Sequence, residues 1–83
     1  MSKKRTIIDV RTPLEFIGGN VNGSINIPLN ELPSRVAEIK SKPQPIILCC
    51  ASGSRSGQAA AYLKSLGIEC VNGGSWIDIN YSN

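Results

Sequence analysis

The residues of this chain best suited to chemistry lie together in the segment Cys49–Ser56, which follows a strongly apolar stretch. Cys50 is followed by four small residues and then by Arg55. Small residues, with Gly53 free to adopt a positive φ, let a loop curl so that its backbone N–H groups converge on an anion. A cysteine at the base of such a loop, beside a helix N-terminus and an arginine, is stabilised as the reactive thiolate. The segment therefore predicts that Cys50 is a nucleophile.

The other two cysteines, Cys49 and Cys70, are interpreted as small buried residues of strands. Three cysteines are an odd number and do not form a disulfide framework. Free thiols are typical of the reducing cytoplasm, which is the predicted location. The sequence has no histidine and no pair of cysteines with the spacing of a zinc site, so neither a metal nor another cofactor is expected.

Strands and helices alternate along the chain, and this order decides where the cysteine loop lies. The apolar run at residues 46–50 is typical of a parallel strand buried on both faces. The predicted class is α/β with a mainly parallel sheet, in which ligands bind at the carboxyl ends of the strands. Further strands are predicted at residues 6–10, 25–27 and 68–71, helices after the N-caps Thr12 and Asn30 and over 56–66 and 76–79, and a turn at 72–74.

Length and composition indicate one small domain. The chain has 83 residues, 41% hydrophobic and 18% charged, which is a globular balance. Residues 1–5 are predicted to form a basic solvated tail and residues 6–83 the single domain, which we expect to be a monomer. The net charge of +3 is accompanied by few aromatic residues, so no nucleic-acid surface is expected. The longest apolar run, Ile46–Ala51, is far too short to span a membrane.

Three segments together resemble a known family. Residues 50–56, C-A-S-G-S-R-S, resemble the C-x-S-G-x-R-S active-site loop of rhodanese domains. Residues 9–16, D-V-R-T-P-L-E-F, are similar to the D-V-R-x-P-x-E-[FY] segment, and residues 23–29, G-S-I-N-I-P-L, to G-A-x-N-I-P-L. The resemblance is to single-domain rhodaneses of the phage-shock-protein-E type, and it implies a rhodanese-like fold shortened at both ends. Asn20 stands where the family usually has histidine, for which we expect only a structural effect.

The resemblance implies a sulfurtransferase that needs no cofactor. Its nucleophile would take sulfur from a small anionic donor, thiosulfate or a persulfide, become a persulfide, and pass the sulfur to a thiol or to cyanide. The N–H groups of the loop would stabilise the charge of that persulfide. By matched position, the implied residues are Cys50 and Arg55 for catalysis, Ala51, Ser52, Gly53 and Ser54 with Arg55 for binding, and Asp9, Arg11 and Ser56 in support. Asp9 is expected to pair with Arg55 or Arg11.

Two other functions stay open at this point. Counted from Cys49, Arg55 closes a loop with five intervening residues, the spacing of cysteine phosphatases and arsenate reductases. Leu48 and Ser52 stand where the common phosphatase pattern has histidine and glycine, so this alternative is less favoured. The second alternative is a non-catalytic module that binds a partner or carries sulfur on Cys50.

Overall fold

The computed structural model describes residues 5–82 as alternating strands and helices. The basic tail predicted for residues 1–5 lies outside the described residues except for Arg5. Among residues 5–82, no helix has the length and apolar character to cross a membrane. The elements are β1 Thr6–Asp9, α1 Pro13–Ile17, β2 Ile25–Asn26, a 3₁₀ helix Leu29–Arg35, α2 Val36–Lys40, β3 Ile46–Cys50, α3 Ser54–Ser65, β4 Cys70–Ser75 and α4 Trp76–Ser82.

The strands form one parallel sheet in the order β2-β1-β3-β4, which confirms the predicted α/β class. The strand that carries the two cysteines, β3, lies between β1 and β4. Asp9 is the register partner of Cys49, and Cys50 is that of Ser75. Because parallel strands end at the same edge, the ends of β1, β3 and β4 meet beside the cysteine loop.

The core is divided by the sheet, since side chains alternate between its faces. On β3, Leu48 and Cys50 contribute to the larger cluster, which α3 and the 3₁₀ helix cover. Cys49 contributes instead to a small cluster on the other face with Ile7, Val21 and Ile79. The two adjacent cysteines therefore lie in different environments.

Two predicted helices differ from the observed ones. Asn30 does not cap a helix, because the chain enters a 3₁₀ helix after Pro28 and α2 starts only at Val36. Pro33 lies inside this segment and has no N–H to donate, which disfavours a continuous α-helix. The last long helix, α3, begins at Ser54 instead of residue 56, because the positive φ of Gly53 turns the chain directly into the helix.

The turn predicted at residues 72–74 is wrong, because these residues continue β4. Leu48 pairs with Asn72 and Cys49 with Gly74, so Gly73 is an extra residue that forms a bulge. A Cβ at Gly73 would lie 2.7 Å from Ile79 Cδ1 and 3.0 Å from the Leu48 carbonyl oxygen. The bulge therefore requires glycine for close packing, whereas the sequence predicted that this glycine forms a turn.

Candidate active site

The loop between β3 and α3 surrounds the sulfur of Cys50. Gly53 has φ +102°, and a Cβ there would lie 3.4 Å from Gly74 Cα, so both its conformation and its packing favour glycine. The side chains of Ala51, Ser52 and Ser54 are exposed. Of these three residues, Ser52 contributes a backbone hydrogen bond that lowers the pKa of Cys50. Ala51 and Ser54 donate no hydrogen bond to the sulfur within the described part of the chain.

Several donors converge on Cys50 Sγ. The Gly53 N–H donates at 3.0 Å, the Ser56 N–H at 3.4 Å, and Ser56 Oγ lies at 3.4 Å. Burial alone would raise the pKa of the Cys50 thiol, but hydrogen bonds from the Ser56 hydroxyl and from the N–H groups of Ser56, Ser52 and Gly53 lower it to about 7. A large fraction of Cys50 can thus be thiolate at neutral pH.

Cys50 itself has no solvent-exposed surface. Reaction with an external compound requires a local movement that opens a path to Sγ.

The other two thiols have the opposite character. Burial, followed by the negative charge of Asp9, raises the pKa of the Cys49 thiol to about 12. Burial also raises the pKa of Cys70, whose sulfur lies 3.4 Å from the Ala60 carbonyl oxygen. All three cysteines are free, and Cys49 and Cys70 are buried as predicted.

Arg55 is held at the edge of the loop by Glu15 of α1. Its guanidinium donates two hydrogen bonds to that carboxylate, at 2.7 and 3.0 Å. The Arg55 hydrogen bonds, together with one from the Thr12 N–H, lower the pKa of Glu15 to about 2. Arg55 and Cys50 interact electrostatically, whereas the hydrogen bonds to the sulfur come from the loop and from Ser56.

Asp9 pairs with Arg11, which was one of the two expected partners, and not with Arg55. Arg11 Nη2 lies 2.7 Å from Asp9 Oδ2 and also 2.7 Å from the Gly19 carbonyl oxygen. The guanidinium stacks 4.7 Å from the ring centre of Trp76, so the ion pair is covered on that side. Both members are buried, and Arg11 links the end of β1 to the segment after α1 through the Gly19 carbonyl oxygen.

Two residues of this site were not singled out from the sequence. Glu15 lies within the segment 9–16, but no role was predicted for it from the sequence. The capping-box pattern of Thr12 followed by Glu15 can be recognised in the sequence and indicates where this side chain lies. Asn72 was assigned to a turn, yet its side chain contacts both Ser56 and Gly53. Its contacts depend on the β4 bulge, and the glycines at residues 73 and 74 were the only sign of that bulge in the sequence.

The sequence also matches a family of known proteins. A model of the rhodanese-like domain family matches residues 1–75. The chain is 45% identical to the uncharacterized protein YqhL of Bacillus subtilis over 78% of its own length. It is 39% identical to the thiosulfate sulfurtransferase PspE of Escherichia coli, with 87% of this chain and 71% of PspE covered.

The fold has close counterparts among solved structures. A rhodanese-like domain protein from Staphylococcus aureus matches with a TM-score of 0.85 and 30% identity, covering 95% of this chain and 76% of that one. The chain spans about half the length of several curated relatives that it matches, 51% in the case of YqhL.

Proposed function

The chain belongs to the rhodanese-like domain family, and on this premise we propose that it is a sulfurtransferase in which Cys50 carries the transferred sulfur as a persulfide. The observation that carries the proposal is the convergence of the Gly53 and Ser56 N–H groups on Cys50 Sγ. Donors arranged in this way stabilise a thiolate before transfer and the negative charge of a persulfide after it. A relative named thiosulfate sulfurtransferase supports the same reaction class.

The proposed reaction has two steps. The Cys50 thiolate attacks the outer sulfur of thiosulfate, the S–S bond of the donor breaks, and sulfite leaves with the bonding electron pair. A thiol or cyanide then attacks the outer sulfur of the persulfide, and Cys50 leaves as thiolate. The lowered pKa of Cys50, about 7, removes the need for a general base in the first step.

The remaining predicted residues have indirect roles in this proposal. Arg55 supplies positive potential at the loop while Glu15 fixes its position. Asp9 and Arg11 link the end of β1 to the segment after α1. The proposal includes a monomer in the cytoplasm, where the three free cysteines stay reduced and thiol acceptors are abundant.

The experiment is intact-mass measurement after treatment with thiosulfate. We expect a gain of about 32 Da, one sulfur atom, which cyanide removes with formation of thiocyanate. The Cys50→Ala variant should gain nothing. Absence of the added sulfur in the folded parent protein, together with turnover of an aryl phosphate, would favour the Cys49 phosphatase alternative. A stable persulfide that neither cyanide nor thiols discharge would favour the sulfur-carrying module.

A further inference from the structure

The hydroxyl of Ser56 lies between two acceptors and has no contact with solvent. Ser56 has no exposed surface, and its Oγ lies 3.4 Å from Cys50 Sγ and 2.7 Å from Asn72 Oδ1. A hydroxyl carries one hydrogen, so it donates to one of these atoms at a time. The distance to the amide oxygen is that of a good O–H···O bond. While Cys50 is a neutral thiol, the hydrogen therefore points to Asn72.

Loss of the thiol proton reverses this preference. A negative sulfur is the stronger acceptor, because hydrogen bonds to charged groups are stronger than neutral ones. When the Ser56 hydroxyl turns towards Sγ, Asn72 Oδ1 keeps the hydrogen bond from the Gly74 N–H at 3.0 Å. Neither state leaves a polar group of this cluster without a partner.

We infer that Asn72 is a positioning residue of the Cys50 site, which acts through Ser56 by holding its hydroxyl hydrogen while Cys50 is protonated and releasing it when the sulfur becomes negative. The inference rests on the proposed function, because it concerns how the same nucleophile is prepared. The Asn72 amide also donates to the Gly53 carbonyl oxygen at 3.0 Å, so one side chain links β4 to both the loop and the hydroxyl.

Asn72 and Ser56 do not titrate in the neutral range, so their effect is measured as a change in the pKa of Cys50. In the described part of the chain, ionisable groups on the elements packed around Cys50 form no hydrogen bond with either residue. Uncharged variants of the pair therefore change the partners of the hydroxyl and leave these charges in place. The groups are Asp9 and Arg11 at the end of β1, Cys49 on β3, Arg55, Tyr62 and Lys64 on α3, Cys70 on β4, and Asp78 and Tyr81 on α4.

The test measures how much the Ser56 hydroxyl lowers the pKa of Cys50 in three proteins, namely the parent, Asn72→Ala and Asn72→Asp. The ultraviolet absorbance of the Cys50 thiolate is titrated against pH, with the corresponding Cys50→Ala protein as the baseline. In the parent, Ser56→Ala should raise the midpoint by about one pH unit, the size expected for loss of a hydrogen bond to a charged group. In Asn72→Ala the same change should raise it by about half a unit more, because no competing acceptor remains.

In Asn72→Asp, Ser56→Ala should raise the midpoint by less than about half a unit, because the carboxylate holds the hydroxyl hydrogen in both states. Aspartate keeps an acceptor for the Gly74 N–H, so this hydrogen bond within the β4 bulge is retained. The matched control is Asn80→Asp, at an exposed position of α4. It adds the same charge and should leave the effect of Ser56→Ala as in the parent.

Equal effects of Ser56→Ala in all backgrounds would overturn the inference, and so would a smaller effect in Asn72→Ala, which is the result of a merely loosened loop. Asn72→Ala is the decisive variant, because loss of the bond to the Gly53 carbonyl would make the effect of Ser56→Ala smaller there, whereas the inference expects it to be larger. An effect in Asn72→Asp as large as in Asn80→Asp would also overturn the inference. The titration needs no sulfur donor. A parent protein without sulfur transfer would therefore end the proposed function and leave this result standing.

Discussion

At the scale of single residues, the contrast between Cys49 and Cys50 comes from the two-residue repeat of a strand. Adjacent side chains of β3 face opposite sides of the sheet. Cys50 faces the Ser56 hydroxyl and the N–H groups of the loop, which lower its pKa to about 7. Cys49 is buried among apolar residues and lies near Asp9, and burial followed by the charge of Asp9 raises its pKa to about 12. The difference of one position along the chain thus separates the proposed nucleophile from a core residue.

This contrast predicts the result of replacing each cysteine by alanine. Cys50→Ala should abolish thiosulfate:cyanide sulfur transfer, because only this thiol is ionised near neutral pH. Cys49→Ala and Cys70→Ala should keep most of the activity and lose some stability, because each leaves a small cavity in a core cluster. Activity is measured at fixed protein concentration after circular dichroism has established that each variant is folded. Activity in Cys50→Ala together with its loss in folded Cys49→Ala would reverse the assignment.

At the scale of elements, the β4 bulge connects the sheet to the loop. The extra residue Gly73 brings the Gly74 N–H to Asn72 Oδ1, and the Asn72 side chain reaches Ser56 and Gly53 on the α3 side. The bulge is closely packed, since Gly73 lies against α4 on one side and β3 on the other. A change that widens it should disturb both stability and the site.

Gly73→Ala is expected to be such a change. Its Cβ would lie 2.7 Å from Ile79 Cδ1, 2.9 Å from Ile47 Cγ2 and 3.0 Å from a backbone oxygen, so the neighbours must move. Overpacking of this kind costs about 1–3 kcal/mol of unfolding free energy, which urea denaturation measures. The control is Gly18→Ala, where φ is −70° and the new Cβ would make an ordinary 3.4 Å contact. Equal stability of the two variants would mean that the bulge is not tightly packed.

The elements also show what a sequence reveals and what it does not. Local signals were sufficient for the Thr12 cap with Pro13, for the buried strand β3 and for the alternation that fixes a parallel sheet. The glycine pair at residues 73 and 74 was interpreted as a turn, because the composition of a bulge and of a turn is the same. Only the pairing of β4 with β3, a contact between distant residues, separates the two.

The site, too, was predicted from the sequence only in part. The loop residues 50–56 are contiguous, so the sequence predicted that the N–H groups of residues 51–55 converge on the sulfur. In the structure Gly53, of that set, and Ser56, one residue beyond it, donate backbone hydrogen bonds to Cys50 Sγ. The choice of Glu15 as the partner of Arg55, and of Asn72 as the partner of Ser56, depends on which elements are neighbours in space. Such long-range choices are not encoded in local spacing.

At the scale of the whole molecule, the three thiols make stability depend on pH in two opposite ways. A group contributes to the pH dependence wherever the folded and unfolded chains bind different numbers of protons. Cys50 has a folded pKa of about 7, below its ordinary value of 9.0, whereas the pKa values of Cys49 and Cys70 lie above that value. The sign of each contribution follows from these directions.

We expect the thermal midpoint to rise between pH 7 and pH 9 and to fall above pH 9. In the lower range the unfolded chain holds the Cys50 proton that the folded chain has already lost, so stability increases with pH. Above it, the unfolded chain releases the protons of Cys49 and Cys70, which the folded chain still holds, so stability decreases. Calorimetry at a series of pH values measures the midpoint, with each alanine variant compared with the parent at the same pH. Cys50→Ala should lose the rise while keeping the fall, and Cys49→Ala should weaken the fall while keeping the rise. A rise that persists in Cys50→Ala would show that the convergent donors do not favour the Cys50 thiolate in the folded protein.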